Sequence, residues 1–355
     1  MKILIDIGHP AHVHFFYHSI QLLVEQGHQV LITSRDKDIA INLLDNLNIR
    51  HESLSTLSKK GGTLSLLIEL IYRDIKLFNV VRKFKPEVMA GIGGIFIAHV
   101  GKLKNIPSLV FYDTENAILQ NALTYPLASC VIVPDCYKAW LPKVRHIKYA
   151  GYHELAYLRK DRFTPDYEIA IKNGLAKKGD TFLLRLVSWQ ASHDIGKNGW
   201  NLKLLKQVID TLRAEGKVII SSESILPPEL HELTYKGDIA EIHHLMAYCR
   251  GYIGESATMA SECAVLGVPA IYAAESGRGY TDEQEYKYGL VKNVKDLTWN
   301  DIEAALSWLL SLDKIKIKKA QNDLHNSSID VTKFIVDCIL RFPLPLSEYQ
   351  KKGQV

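Results

Sequence analysis

The amino-acid sequence predicts a doubly wound α/β protein built from two domains. The chain has 355 residues, more than one hydrophobic core usually serves, so two domains of roughly 150 to 180 residues are expected. Short apolar runs typical of buried parallel strands alternate with amphipathic helical stretches, and this alternation starts twice along the chain. We therefore expect two Rossmann-like domains that face a cleft.

The first series of elements fills residues 1–160. Its predicted strands are KILIDI, QVLIT, PEVMAG, PSLVFY and CVIVP, and its longest predicted helix is the run LSLLIELIYRDIKLFNVV. Further helices are expected from about His14 to Gln26, from Ile39 to Leu47 and after PEVMAG. The polar, Pro-containing stretch at 159–180 predicts a linker.

The second series fills residues 161–330. Its predicted strands are FLLRLV, KVIIS, GYIG and PAIYAA, and helices are expected at 200–214, 242–249 and 256–266. The pattern from about Trp299 to Arg341 is helical. Residues 331–355 are expected to form a C-terminal helix and tail that pack back on the first domain.

Composition places the chain among soluble proteins. Hydrophobic residues make up 47% and charged residues 23%, and no apolar run approaches the ~20 residues that span a bilayer. The N-terminus MKILIDIG predicts a buried strand and not a signal peptide. The five cysteines contain no CxxC pair, so we expect buried thiols in a reducing, cytoplasmic compartment. No nucleic-acid partner is expected.

The basic charge is concentrated in the first half. Residues 1–160 carry 19 Lys and Arg against 13 Asp and Glu. Several of these cations lie around the long apolar helix, namely Lys59, Lys60, Arg73, Lys76, Arg82, Lys83 and Lys85. Such a face can meet anionic lipid headgroups or an anionic acceptor. It can equally be the solvated rim of a helix that packs on a sheet.

One loop of the second half has the composition of an anion site. In IGESATMASECAVLG the strand GYIG runs into Ser256, Ala257 and Thr258 at a helix start, and Glu262 follows about 1.5 turns later. Small residues let phosphate oxygens approach helix N–H groups, and the carboxylate can accept ribose hydroxyls. The alternative is an ordinary helix N-cap with a surface glutamate.

The loop after the first strand is rich in histidine. GHPAHVHFF holds His9, His12 and His14, with His18 one helical turn further on. Imidazole suits a general base that deprotonates a hydroxyl. A zinc site built from His14 and His18 is an alternative, although no carboxylate or cysteine ligand lies nearby in the sequence.

Two more loops end their strands with polar groups. FYDTENA supplies Asp113 and Glu115, and SWQASHDIGKNG supplies Ser188 and His193, while Arg185 lies on the preceding strand. In a doubly wound sheet, ligands sit beyond the carboxyl ends of the strands. Four polar loops at such ends, two in each half, therefore indicate a binding site more strongly than any one of them.

These loops carry a resemblance that covers most of residues 1–295. DIGHPAHVHFF, FYDTENA, LTYP, LVSWQASHDIGKNG, SSESILPPEL and GESATMASECAVLGVPAIY resemble a prokaryotic family known as a domain of unknown function. That family is similar to the glycosyltransferase-B superfamily, with its lipid II-forming N-acetylglucosamine transferase and its non-hydrolysing UDP-N-acetylglucosamine 2-epimerase. The resemblance implies an acceptor on domain 1–160 and a nucleotide-sugar on domain 161–330.

Individual residues inherit roles from this resemblance. GESATMASE resembles the epimerase motif that holds diphosphate and ribose, although Ala257 stands where glycine is usual. PAHV resembles the transferase loop that carries the candidate base, TDEQE its donor-sugar loop, and EIHHLMAY the segment that contacts the nucleotide base. The implied catalytic residues are His12, Glu115 and His193. The implied nucleotide-binding residues are Arg185, Ser188, Ile242, Ser256, Ala257, Thr258 and Glu262, and the implied donor-sugar residues are Asp282, Gln284 and Glu285.

The sequence thus predicts a metal-independent glycosyltransferase that uses a nucleotide-sugar, with UDP-sugar as the first choice, in surface polysaccharide or glycoconjugate synthesis. No cofactor and no metal are expected, and the acceptor would be a glycan or a lipid-linked sugar. A UDP-sugar 2-epimerase is the second hypothesis, because only Glu115 matches that enzyme's acids. A non-catalytic binding protein or a metal hydrolase is the third.

Overall fold

A computed structural model describes residues 1–35, 38–54, 63–187 and 200–343 of the chain. It divides into two compact units. Unit 1 comprises Met1–Tyr157 together with the chain from Ser327, and unit 2 comprises Leu158–Asn326. In the described residues no helix is both long enough and apolar enough to cross a membrane.

Unit 1 contains a seven-stranded parallel sheet. Its elements in chain order are β1 (Lys2–Ile7), α1 (Pro10–Glu25), β2 (Gln29–Arg35), α2 (Asp38–Asn46), β3 (His51–Leu54), α3 (Thr63–Phe84), β4 (Val88–Ile92), α4 (Ile95–Lys104), β5 (Ser108–Phe111), α5 (Ile118–Thr124), β6 (Cys130–Pro134), β7 (His146–Tyr149) and α6 (Leu155–Leu158). The strand order is β3-β2-β1-β4-β5-β6-β7. The inner strands are continuous apolar runs because helices cover both faces of such a sheet.

Unit 2 contains a five-stranded parallel sheet in the order β12-β11-β10-β8-β9. Its elements are α7 (Tyr167–Lys172), β8 (Asp180–Leu186), α8 (Leu202–Arg213), β9 (Gly216–Ser222), α9 (Ile242–Met246), β10 (Gly251–Gly254), α10 (Ala257–Leu266), β11 (Ala270–Ala273), α11 (Gly279–Tyr286), β12 (Val291–Val294), α12 (Trp299–Ser311) and α13 (Lys314–Ser327). A short 3-10 segment covers Pro228–Leu233. The α/β class with two Rossmann-like units, expected from the sequence, is confirmed.

The last described helix, α14 (Val331–Arg341), packs in unit 1. The Ser19 hydroxyl of α1 donates to the Thr332 carbonyl at 3.4 Å, and the Thr332 hydroxyl donates to the Ala156 carbonyl at 2.7 Å. Phe334 is fully buried against the Tyr149 ring, with 5.0 Å between centroids. The chain therefore returns to its first sheet after completing the second.

Two expectations about local structure need correction. The stretch at 159–180 is not a plain linker, because Asp166 caps α7 within it and Ala170 of that helix is buried. Arg73 does not belong to a solvated basic face, since it is only 5% exposed and its guanidinium lies 4.0 Å from the Phe96 ring centroid. Burial lowers the pKa of Arg73, and Asp6 opposes that shift.

Candidate functional site

The two central strands of unit 2 create a topological switch point. β8 and β10 are hydrogen-bonded neighbours, but the chain leaves β8 towards β9 on one side and leaves β10 towards β11 on the other. Loops therefore diverge at the carboxyl ends of these two strands, which is where open α/β sheets bind ligands. The backbones are close there, because a Cβ on Gly254 would lie 2.3 Å from the Arg185 carbonyl oxygen.

Helix α10 begins at this switch point. Ser256 is its N-cap, with its hydroxyl accepting from the Met259 N–H at 3.3 Å, and the Tyr252 hydroxyl donates to the Ser256 carbonyl at 3.1 Å. Ala257 and Thr258 form the first turn, whose N–H groups have no acceptor inside the helix. The N-cap expected from the sequence is present, and it turns the N-terminus of α10 towards the ligand position of the fold.

Glu262 is not the surface residue of the alternative interpretation. It is 5% exposed, and its Oε1 lies 2.9 Å from Nε2 of His243 in α9, a ring that is itself 6% exposed. A carboxylate can only accept hydrogen bonds, so His243 donates. The pair fixes the Glu262 side chain on the helix that starts at Ser256.

Of three other predicted nucleotide contacts, Arg185 and Ile242 have hydrogen-bond partners within unit 2, and Ser188 lies outside the described residues. The Arg185 guanidinium is directed towards β9, where it donates to the Ser221 hydroxyl at 2.8 Å and to the Glu223 carboxylate at 2.6 Å. The Ile242 N–H donates to the Ile239 carbonyl, so it serves the chain turn before α9. Ser188 lies outside the described residues, as does the catalytic candidate His193.

The three predicted donor-sugar residues lie on α11. Gln284 is fully buried and donates from its amide to the Ser261 hydroxyl at 2.8 Å, which joins α11 to α10. Glu285 accepts from Asn293 at 2.7 Å and pairs with Lys292 at 3.1 Å. Both side chains therefore help to hold α11 in place, and the buried Gln284 Oε1 atom has no hydrogen-bond partner among the described residues. Asp282 lies in the first turn of α11.

In unit 1, most of the histidine-rich segment after β1 belongs to helix α1. His9 is the N-cap of α1 and accepts from the Ala11 N–H at 3.2 Å, while His12 Nδ1 accepts from the Gly8 N–H at 3.2 Å. His14 stacks on Tyr157 with 5.3 Å between centroids, and His18 lies 3.2 Å from the Gln21 amide oxygen. Among the described residues, no three His, Cys, Asp or Glu side chains converge as metal ligands.

The loop after β5 brings a carboxylate to this end of the sheet. Asp113 Oδ2 lies 3.1 Å from His153 Nδ1, and the Thr114 hydroxyl donates to Asp113 Oδ1 at 3.0 Å. Burial works to raise the pKa of Asp113, but His153, Thr114 and the nearby His12 together hold it below its usual value. Glu115 is half-buried in the same loop. Burial raises the pKa of the Tyr137 phenol, and the charge of Glu115 adds to that rise.

His153 and His243 were not selected from the sequence. His153 follows β7, a four-residue strand with only one fully buried position that apolar periodicity does not reveal. His243 lies in the EIHHLMAY segment, from which only Ile242 was selected. The sequence could have indicated His153 only as a histidine near a strand end, and His243 only as a histidine in a segment already linked to the nucleotide. No sequence spacing connects His153 to Asp113 or His243 to Glu262.

Solved structures with the same architecture include enzymes of nucleotide-sugar chemistry. The UDP-GlcNAc 2-epimerase from Neisseria meningitidis, bound to UDP-GlcNAc, is 15% identical, with a TM-score of 0.65 over 96% of this chain and 100% of that chain. The glycotransferase of kitacinnamycin is 14% identical, with a TM-score of 0.65 over 96% of this chain and 98% of that chain. This similarity identifies the fold as the glycosyltransferase-B type.

At the level of sequence, the chain is similar to an uncharacterized protein of Methanocaldococcus jannaschii. The two are 26% identical over 287 residues, which cover 76% of this chain and 81% of the archaeal protein. A family model described as "Protein of unknown function (DUF354)" matches residues 1–342. The chain therefore belongs to the DUF354 family, as its loop motifs predicted.

Proposed function

We propose that the chain is a metal-independent glycosyltransferase that uses a nucleotide-sugar, most simply a UDP-sugar, and works without a bound cofactor. The observation that carries the proposal is the start of α10. Ser256 and Thr258 lie at the switch point of unit 2, and the buried Glu262 follows on the same helix. The helix N-terminus suits a diphosphate, and the carboxylate suits ribose hydroxyls.

The chemistry divides between the two units. N–H groups at the start of α10 and the Thr258 hydroxyl would stabilise the diphosphate as it leaves the sugar, which requires no metal ion. Unit 1 would supply the group that takes the proton of the acceptor hydroxyl, and the candidates are His12, the pair of His153 with Asp113, and Glu115. Asp282, Gln284 and Glu285 on α11 are the candidates for contacts with the donor sugar.

The acceptor of this proposal is a glycan or a lipid-linked sugar of surface polysaccharide or glycoconjugate synthesis. Ile68, Ile71 and Ile75 form a stripe on α3 at i, i+3 and i+7 and are 49%, 50% and 56% exposed. Lys76, Arg82 and Lys83 lie on the same helix. An exposed apolar stripe with basic neighbours supports peripheral contact with an anionic membrane surface, at the inner face of the cell membrane.

A second candidate is a non-hydrolysing UDP-sugar 2-epimerase. It is supported by the likeness of GESATMASE to the epimerase motif and by the fold shared with the Neisseria meningitidis enzyme. Among the acids that such a reaction needs, only Glu115 has a counterpart in the sequence. The transferase therefore remains the first proposal.

A ligand screen followed by a reaction tests the proposal. Thermal unfolding with UDP, GDP, dTDP and CMP identifies the nucleotide, since only a ligand that binds the folded state raises the melting temperature. The protein is then incubated with UDP-sugars, with and without glycan or lipid-linked acceptors. A transferase forms product only with an acceptor, whereas an epimerase converts the sugar alone. If none of the four nucleotides raises the melting temperature, both the transferase and the epimerase proposals are contradicted.

A further inference from the structure

Asp113 fixes the tautomer of a buried histidine in unit 1. Its Oδ2 faces His153 Nδ1 at 3.1 Å, and its Oδ1 accepts from the Thr114 hydroxyl at 3.0 Å. A carboxylate that accepts at both oxygens remains ionised. The proton shared with His153 therefore resides on Nδ1, and the neutral ring carries its lone pair on Nε2.

The Nε2 atom of His153 has no hydrogen-bond partner among the described residues, although the side chain is only 7% exposed. Leaving a buried polar atom unpartnered is unfavourable, so such an atom in a folded protein calls for an explanation. The ring is also held on its other side, because the Phe15 ring lies 4.4 Å away, centroid to centroid. An imidazole oriented by a carboxylate at Nδ1, with an unpartnered lone pair at Nε2, has the arrangement of a proton acceptor.

His12 carries its proton on the opposite nitrogen. The Gly8 N–H donates to His12 Nδ1 at 3.2 Å, so that nitrogen must hold the lone pair and the neutral ring has its hydrogen on Nε2. His12 and Phe15 are three residues apart on α1 and so share one helix face. His153 packs on the Phe15 ring, and His12 as well as His153 acts on the Asp113 carboxylate, so both histidines belong to the same part of unit 1.

We propose that His153 is the proton acceptor of the transfer reaction, oriented by Asp113, and that His12 is a hydrogen-bond donor to the reacting oxygens. This inference rests on the proposed glycosyltransferase function. The acceptor oxygen bonds to the anomeric carbon and its proton moves to His153 Nε2. The bond from the anomeric carbon to the diphosphate oxygen breaks, and its electron pair leaves with the diphosphate. Asp113 stabilises the imidazolium that results.

The test uses the full chain and two matched variants. His153→Asn keeps an N–H donor for Asp113 but removes the Nε2 lone pair, and thermal unfolding verifies that the variant is folded. His99→Asn is the control, because His99 Nδ1 pairs with Asp74 Oδ2 at 2.9 Å in unit 1. UDP release is measured from UDP-sugars with the acceptor identified in the screen. His153→Asn is expected to lower kcat by about 10²- to 10⁴-fold with UDP affinity unchanged, and His99→Asn to leave kcat unchanged.

The tautomers provide a readout that does not depend on turnover. Nitrogen NMR of the histidine rings is expected to find the neutral His153 protonated at Nδ1 and His12 protonated at Nε2, with Asp113→Asn altering the His153 signal and not that of His99. Protonation of His153 at Nε2, or full turnover by His153→Asn, would overturn the inference while leaving the proposed function intact. A wild-type protein that neither binds UDP nor releases it from any UDP-sugar would overturn the proposed function itself.

Discussion

Replacement of Glu262 separates its two proposed tasks, which are holding His243 and holding ribose. Glu262→Gln keeps one oxygen that can accept from His243 Nε2, now 2.9 Å from Glu262 Oε1, and replaces the other oxygen with an amide donor. Glu262→Ala removes both acceptors. The two variants should therefore differ in stability but share a defect in nucleotide binding.

The magnitudes follow from burial. In Glu262→Ala the buried His243 donor loses its acceptor, which costs about 1–3 kcal/mol of folding free energy. For a unit of this size, that corresponds to a melting temperature lower by roughly 2–12 °C. Loss of hydrogen bonds from ribose to a charged acceptor costs about 1.5–3 kcal/mol of binding free energy, so Kd for UDP should rise roughly 10- to 150-fold in both variants.

Isothermal titration with UDP and with 2′-deoxy-UDP measures the binding, and thermal unfolding measures the stability. The wild-type protein should prefer UDP over its deoxy analogue, and Glu262→Gln should lose that preference while retaining a melting temperature near that of the wild type. An unchanged UDP affinity in Glu262→Gln would refute the ribose assignment. A melting temperature unaffected by Glu262→Ala would refute the energetic role of the His243 pair.

Three further predictions concern the scaffold and its surface. Gly254→Ala should lower the melting temperature by several degrees, because the added Cβ would lie 2.3 Å from the Arg185 carbonyl oxygen. Gly277→Ala should not lower it, because the nearest atom to its added Cβ would be 3.6 Å away. Equal melting temperatures of the two variants would contradict the close approach of β8 and β10. The hydrogen bond to Asp74 raises the pKa of His99, although burial acts to lower it. The stability that protonated His99 contributes is therefore fully present below the unfolded-state pKa of about 6.5 and is lost as pH rises through the higher folded-state pKa. The difference in melting temperature between wild type and His99→Asn should accordingly be larger at about pH 5.5 than at about pH 9, and a difference independent of pH would count against this. Finally, Ile71→Glu on α3 should weaken sedimentation with vesicles containing phosphatidylglycerol, while Ile315→Glu on α13, at a position 80% exposed, should not; equal sedimentation of both variants would exclude the α3 stripe as the contact.

The sequence predicted the elements whose signal is hydrophobic periodicity. The central strands β1, β4, β5, β8 and β10 are continuous apolar runs, and each was expected close to where it lies. The strands β3, β7 and β12 were missed, because each has only four residues and too few apolar positions to give a clear period. Helix α11 was missed because GYTDEQEY has no clear apolar face.

Local roles that depend only on position within an element could be predicted from the sequence. Ser256 caps the helix after a central strand, a role that spacing predicts well. The hydrogen-bond partners of a side chain could not be predicted when they are distant in sequence. Gln284 and Glu285 were expected in a donor-sugar loop but lie on helix α11, and their partners Ser261 and Asn293 are 23 and 8 residues away in sequence. The partnership of Asp113 with His153 joins two strand ends 40 residues apart, which only the sheet order brings together.

Unit 2 is proposed to hold a nucleotide diphosphate at the start of α10, and a crystal structure of the protein with UDP tests this most directly. We expect diphosphate oxygens within hydrogen-bonding distance, about 3 Å, of the N–H groups in the turn from Ser256 to Thr258, with Glu262 accepting from the ribose. A bound UDP whose diphosphate lies more than about 6 Å from those N–H groups would contradict it, because no direct N–H···O contact spans that distance.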